Sequence, residues 1–245
     1  KTGFSYKVNA EEGQQYFHTY LEGWYFEYMF GSAKYEDGEE FDEKVFIWNL
    51  LADHGIFDES AKEFEWYTGK EHPMRGDVAF IVPGTRYYVL TALWNEDMGG
   101  WIEKPEVIGF DLEEPGTSNS TIDCSIDGLS PYSVSIRMEM DADQVSFYMW
   151  DFFEKSQYKS YVAENGIEGI MAYVSEYALG KGQAKVNTYT DTWSVDPGTS
   201  YMLCVYGVDH NGDEFYTELE VDVPMPDAKI YIGMDPYERE LEGYN

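Results

Sequence analysis

Asp209, Asn211, Asp213 and Glu220 occupy the oxygen-donor positions 1, 3, 5 and 12 of a loop that could hold calcium. Such a loop needs glycine at position 6, where this sequence has Glu214, and its glycine, Gly212, falls at position 4 instead. Asn211-Gly212 is a favoured hairpin dipeptide, and the "FYTELEV" that follows alternates as a strand does. A tight turn is therefore expected here. Calcium on Asp209, Asn211 and Asp213 is the sharper alternative, and no other cofactor is implied.

The remaining reactive residues form no recognisable catalytic pattern. His18, His54, His72 and His210 share no metal-ligand spacing such as HExxH. Strand alternation puts Cys124 on an inward face with Ile122 and Ile126. It puts Cys204, with Met202 and Tyr206, on the face opposite Tyr201 and Leu203. A disulfide requires β-carbons within about 4.5 Å, so two free thiols are expected. The sequence carries no GxSxG elbow, Walker loop or dinucleotide glycine pattern. Its 47 Asp and Glu residues leave a glycosidase-type pair open, because that chemistry depends on carboxyl groups about 5 to 9.5 Å apart across a cleft, which sequence does not display. A non-enzymatic protein is the expectation.

Aromatic residues are abundant: 22 Tyr, 14 Phe and 7 Trp. "LWNEDMGGW" sets Trp94 and Trp101 on either side of an acidic turn. Rings beside hydrogen-bonding Asp, Asn and Glu suit a sugar or a protein hot spot. Trp94, Trp101 and Tyr206 are thus the candidate ligand-binding residues, with coverage of a core's open end as the alternative for the two Trp.

The elements that would position these residues are written twice. An offset of 114 (197 − 83) carries "VPGTRYYVLTALW" onto "DPGTSYMLCVYGV", and each copy then reaches a glycine-containing acidic turn, "NEDMGG" or "DHNGDE". Upstream, an offset of 130 (134 − 4) carries Phe4, Tyr6, Val8 and Ala10 onto Val134, Ile136, Met138 and Met140, one face of a strand. The falling offset means that the first copy is longer in its middle. There the period becomes helical. "NGIEGIMAYVSEYALG" has an apolar stripe, an Asn165/Glu168 capping box and a stop at Gly180. "FDEKVFIWNLLADHG" offers Asp42 as cap, Val45, Trp48, Leu51 and Ala52 as stripe, and Gly55 as end. "TIDCSIDGL" opens the second copy, whereas the first has no equivalent before Phe4, so that strand is either missing or replaced by another segment. "PEVIGFDLEEP" and "TELEVDVPMP" close the copies, and Lys229 to Ile232 could add one more strand.

The net charge of −31 over 245 residues repels phosphate backbones and anionic headgroups, which argues against nucleic acid and membrane surfaces as partners. No apolar run approaches the roughly 18 residues of a membrane span. "KTGFSYKVNA" lacks a signal h-region, so the protein is either cytosolic or already processed.

A Pro-Gly-Thr turn, an inward Tyr (Tyr87 or Tyr201) and an Asp/Asn-Gly hairpin resemble the end of a fibronectin type III module. With a helix in mid-module, the pattern is similar to tandem fibronectin-like proteins exported by Bacteroides-type gut bacteria, many of them lipoproteins of unassigned function. The resemblance implies a mainly β chain of two fibronectin type III/immunoglobulin-like β-sandwich modules, each with an inserted helix. Module one is expected over 1–114, a linker over 115–120, module two over 121–226, and a strand and tail over 227–245. It further implies an extracellular or outer-membrane-surface location, with membrane attachment only through an upstream lipid anchor not present in this chain. The expected function is extracellular binding of a glycan through exposed aromatics, or else protein adhesion and assembly. A glycan-active enzyme ranks third.

Overall fold

The computed structural model describes residues 2–226. The strand expected at Lys229 to Ile232 lies outside the described residues. The N-terminal half contains β1 (Gly3–Val8), β2 (Gln15–Glu22), α1 (Gly23–Asp37), α2 (Glu43–His54), β3 (Ile56–Glu59), β4 (Lys62–Tyr67), β5 (Arg86–Asn95), β6 (Gly100–Trp101) and β7 (Glu106–Asp111). The C-terminal half contains β8 (Ile122–Ser130), β9 (Ser133–Met140), β10 (Val145–Glu154), α3 (Lys155–Tyr177), β11 (Gly180–Gln183), β12 (Thr188–Ser194), β13 (Ser200–Asp209) and β14 (Glu214–Asp222).

The second half is a seven-stranded antiparallel sandwich. Sheet β11-β10-β13-β14 packs on sheet β12-β9-β8 around Ile122, Val134, Ile136, Tyr148, Leu203 and Val205. The first half repeats that order with β3-β2-β5-β7 packed on β1-β4, and β6 adds a short pairing at the end of β5. The chain is mainly β, with two fibronectin type III/immunoglobulin-like sandwiches carrying helical insertions between the second and third strands of the larger sheet.

One difference separates the two. In the second sandwich β9 pairs with both β12 and β8, whereas among the described residues β1 pairs with β4 alone. Among the described residues, none takes in the first sandwich the place that β8 fills in the second.

The helices follow from the central strands. Tyr201, Leu203 and Val205 of β13 face the inter-sheet core, while Met202, Cys204, Tyr206 and Val208 form a second core under α3 with Ile170 and Val174. Likewise Tyr87 and Val89 of β5 face inward, while Leu90 and Ala92 lie under α1 and α2 against Phe26, Ile47 and Leu51. A strand apolar on both faces needs a covering layer on each. Cys124 and Cys204 are both free and belong to different cores, as the alternation implied.

Asp42 caps α2, its Oδ1 accepting from Lys44 N–H at 2.9 Å and Val45 N–H at 3.3 Å. The buried face is Ile47, Leu50 and Leu51; of the expected stripe Leu51 is buried and Trp48 packs against the same core, whereas Val45 and Ala52 are exposed. α3 starts at Lys155, ahead of the expected start at Asn165, and Asn165 does not cap: its Nδ2 donates to the Tyr161 carbonyl. Gly166, at φ 72° and ψ −178°, is not helical, so α3 is two helical segments and the second starts where the sequence placed its helix.

Both Pro-Gly-Thr turns end in the same bond. Tyr87 Oη accepts from Val82 N–H at 3.0 Å and Tyr201 Oη from Asp196 N–H at 3.1 Å. Replacing either Tyr by Phe leaves a backbone donor unpaired, and each change should cost about 1–2 kcal/mol in urea unfolding. An unchanged midpoint in either variant would show that its corner does not hold the turn.

Candidate functional site

Residues 68–82 join β4 to β5 and reach from the first sandwich into the second. Val82 is buried in the core beneath α3, and Phe80 packs against that core edge-on to Phe147, with ring centroids 5.6 Å apart. Lys181 Nζ lies 5.3 Å from the Phe80 ring centre. Gly69, whose φ of 100° favours glycine, sits against the side-chain amide of Gln183. The segment 115–120 adds polar contacts. Gly116 N–H donates to Asp213 Oδ1 at 2.9 Å, Ser118 Oγ to Asp209 Oδ2 at 2.6 Å, and Thr117 bridges Glu214 in parallel.

This docking leaves a cleft of about 410 Å³ between the sandwiches, lined by residues of both. On one side β2 ends at Glu22 and α1 begins with Gly23 and Trp24. On the other, the last turns of α3 bring Ser175 and Glu176, and Lys181 follows on β11. Trp24 is 40 % exposed, and its ring meets that of Tyr177 across the boundary with centroids 6.1 Å apart.

The floor is a charge network. Glu22 Oε1 accepts from Arg75 Nη2 at 2.6 Å, and Arg75 Nε lies 3.5 Å from Asp77 Oδ1. His72 is buried, and its Nδ1 accepts from Met74 N–H at 3.2 Å, which places the ring proton on Nε2. That nitrogen faces Glu22 Oε2 at 3.6 Å, close enough for electrostatic attraction but too long for a hydrogen bond. Burial pushes the Glu22 carboxyl up, but His72 and the Arg75 guanidinium more than offset it and hold the group down at about 2. Arg86 is likewise neutralised, with Nη1 3.1 Å from both oxygens of Asp111, and Tyr88 Oη donates to Glu27 at 2.9 Å. The cleft thus offers many hydrogen-bonding groups beside an aromatic ring, with its two guanidinium groups already paired.

The residues singled out in the sequence lie elsewhere. Trp94 and Trp101 pair directly across β5 and β6, about 26 Å along β5 from Arg86. Their rings stand at 77° with centroids 5.0 Å apart, and Trp101 is parallel to Trp48 of α2. They are half-buried in a helix-covered aromatic cluster with Phe17, not a coplanar platform. Tyr206 is buried under α3 with 2 % exposure and is out of reach of a ligand, because the helix covers the outer face of β13.

Asp209 and Asp213 are turn and linker acceptors. Asp209 Oδ1 takes the N–H groups of Asn211 at 2.8 Å and Asp213 at 3.0 Å, while its Oδ2 takes Ser118. Asn211 contributes the turn itself. Among the described residues no group of three His, Cys, Asp or Glu is arranged to hold a metal ion. Trp24 and the Glu22 network were not singled out, because α1 was not expected and the cleft arises only when two modules meet.

No protein-family model matches the sequence, and no curated protein matches it. Among solved structures, the chain is similar to the FN1–FN3 domains of chicken CNTN1 at 10% identity and a TM-score of 0.29, covering 87% of this chain and 57% of that one. It is also similar to a two fibronectin type III domain segment from chicken tenascin, at 9% identity and a TM-score of 0.27, covering 91% of this chain and all of that one. The fold assignment rests on the strand order and the two tyrosine corners.

A carboxyl lowered from 4.5 to about 2 contributes stability that is full above pH 4.5 and is lost as pH falls toward 2. Unfolding in urea at pH 7 and pH 3 should show Glu22→Gln destabilising the protein by on the order of 2–3 kcal/mol at pH 7 and by much less at pH 3. Equal losses at both pH values would rule out ionised Glu22 as the source.

Proposed function

We propose that this chain is a non-catalytic binding protein that holds a glycan in the cleft between its two sandwiches. The observation that carries the reading is the accessible Trp24 ring inside a preformed cleft whose walls present carboxylate, guanidinium and hydroxyl groups from both halves. An indole face takes the C–H face of a sugar ring, and planar charged groups take pairs of neighbouring hydroxyls. The volume lies within the range of small-ligand sites. Because Arg75 and Arg86 are already paired, a neutral polyhydroxyl ligand fits better than an anion, which the chain's overall negative charge would also repel.

Glu22 is not the proton donor of a hydrolase. A glycosidase acid must hold its proton near neutral pH, and Glu22, held at about 2, is an acceptor only. The resemblance to exported bacterial proteins supports a role at the cell surface, where a glycan or a protein would be the partner. Protein adhesion is the second reading, favoured by β1, which among the described residues pairs along one edge only.

A glycan-array screen of the purified chain should find ligands whose binding falls about tenfold or more in Trp24→Ala. The same binding should survive in Trp101→Ala. Undiminished binding in Trp24→Ala, or loss confined to Trp101→Ala, would remove the cleft from consideration.

A further inference from the structure

The outer face of α1 carries three aromatic rings in one row. Trp24, Tyr28, Gly31 and Tyr35 follow one another at intervals of four, three and four residues, which sets them within about 60° of one another around the helix. Trp24 is 40 % exposed, Tyr28 69 % and Tyr35 89 %. Among the described residues Tyr28 and Tyr35 make no hydrogen bond or ring contact. Between them lies an open trough of about 380 Å³ lined by Glu27, Tyr28, Gly31, Ser32, Tyr35 and Glu36.

The packing of α1 does not call for this surface. The helix buries Phe26 and sets Met29 and Phe30 against the core on its opposite side. Large rings left in water add little to the fold, and glycine in a helix interior costs stability. A β-carbon at Gly31 would meet no atom within 4 Å, so no neighbour requires the glycine. What Gly31 provides is a flat floor between two rings, which any longer side chain would fill.

The row also continues the cleft. α1 begins there with Gly23 and Trp24, and Glu27 lines both the cleft and the trough. At about 1.5 Å per residue the row from Trp24 to Tyr35 is about 16 Å long, the length of roughly four linked pyranoses. One helical turn separates Trp24 from Tyr28, which suits adjacent sugar units, and Tyr35 lies roughly two units further on. We propose, resting on the reading of the cleft as a glycan site, that α1 extends that site: the ligand is an extended neutral oligosaccharide that stacks first on Trp24 and then runs along Tyr28, Gly31 and Tyr35. Glu27 and Glu36 accept from hydroxyls at its sides. A straight row takes an extended chain and not a coiled one. The two carboxylates repel an anionic polymer, and they oppose a second copy of a chain of net charge −31 on the same face.

The test is calorimetric titration with cello-, manno- and xylo-oligosaccharides from disaccharide to hexasaccharide, beside light scattering of the free protein. Affinity within at least one series should rise about tenfold or more from disaccharide to tetrasaccharide. Tyr28→Ala and Tyr35→Ala should each remove about threefold or more of that gain while leaving disaccharide binding as it is, whereas Trp24→Ala should weaken every length. Gly31→Gln should remove the gain and at the same time raise the thermal midpoint, which separates a filled trough from a damaged fold. Binding that depends on Trp24 but not on chain length would overturn the extension and leave the cleft reading standing. A length gain that survives in the Tyr28, Tyr35 and Gly31 variants would do the same. No binding of any series would also overturn the extension, and the cleft would then stand or fall on the glycan array. Concentration-dependent dimers lost in Tyr35→Ala would assign the face to a second copy instead.

Discussion

The insertion of Phe80 and Val82 into the second sandwich is the contact on which the arrangement depends. Without it the two sandwiches would be joined by 115–120, a few hydrogen bonds at the Asp209 turn, and the contacts of Trp24 with Tyr177 and Gly69 with Gln183. With it, a segment of the first sandwich becomes part of the apolar core beneath α3, and the surfaces bearing Glu22, Trp24, Ser175 and Lys181 are held facing each other. Inter-domain surfaces within a chain are ordinarily mobile unless large and apolar. Here apolar burial comes first, and the polar cleft is its by-product.

The same economy explains the helices. β5 and β13 carry apolar side chains on both faces, so each sandwich requires three layers. Covering the outer face with α1 and α2, or with α3, buries Tyr206 and half-buries Trp101, and brings the start of α1 and the end of α3 to the junction. A two-layer module with exposed strands would have had neither the second core nor the cleft.

Much of this was legible in the residues. The duplicated Pro-Gly-Thr turn predicted two tyrosine corners, and both formed with partners five residues upstream. Alternation placed Cys124 and Cys204 in separate cores, and Asp42 marked the start of α2. Local pattern failed where tertiary packing decides. α1 is dense in aromatic residues with no single stripe and middling helix propensity, so no period announced it. Asn165-Gly166 does mark the start of a helical segment, but the segment upstream of it, which buries Tyr158 under the same face, carried no stripe that announced it. Trp94 and Trp101 looked like a platform because sequence does not reveal that α2 and Trp48 lie over the same end of the sheet.

A distance measurement between the two sandwiches tests the account most directly. Spin labels placed at exposed Tyr67 and exposed Tyr132, read by pulsed electron resonance, should give one narrow distribution in the native chain. The double variant Phe80→Ser, Val82→Ser should broaden it while leaving each sandwich folded, because an apolar contact is lost from the junction and not from either inter-sheet core. A broad distribution already present in the native chain would contradict the claim that this insertion fixes the two halves and forms the cleft.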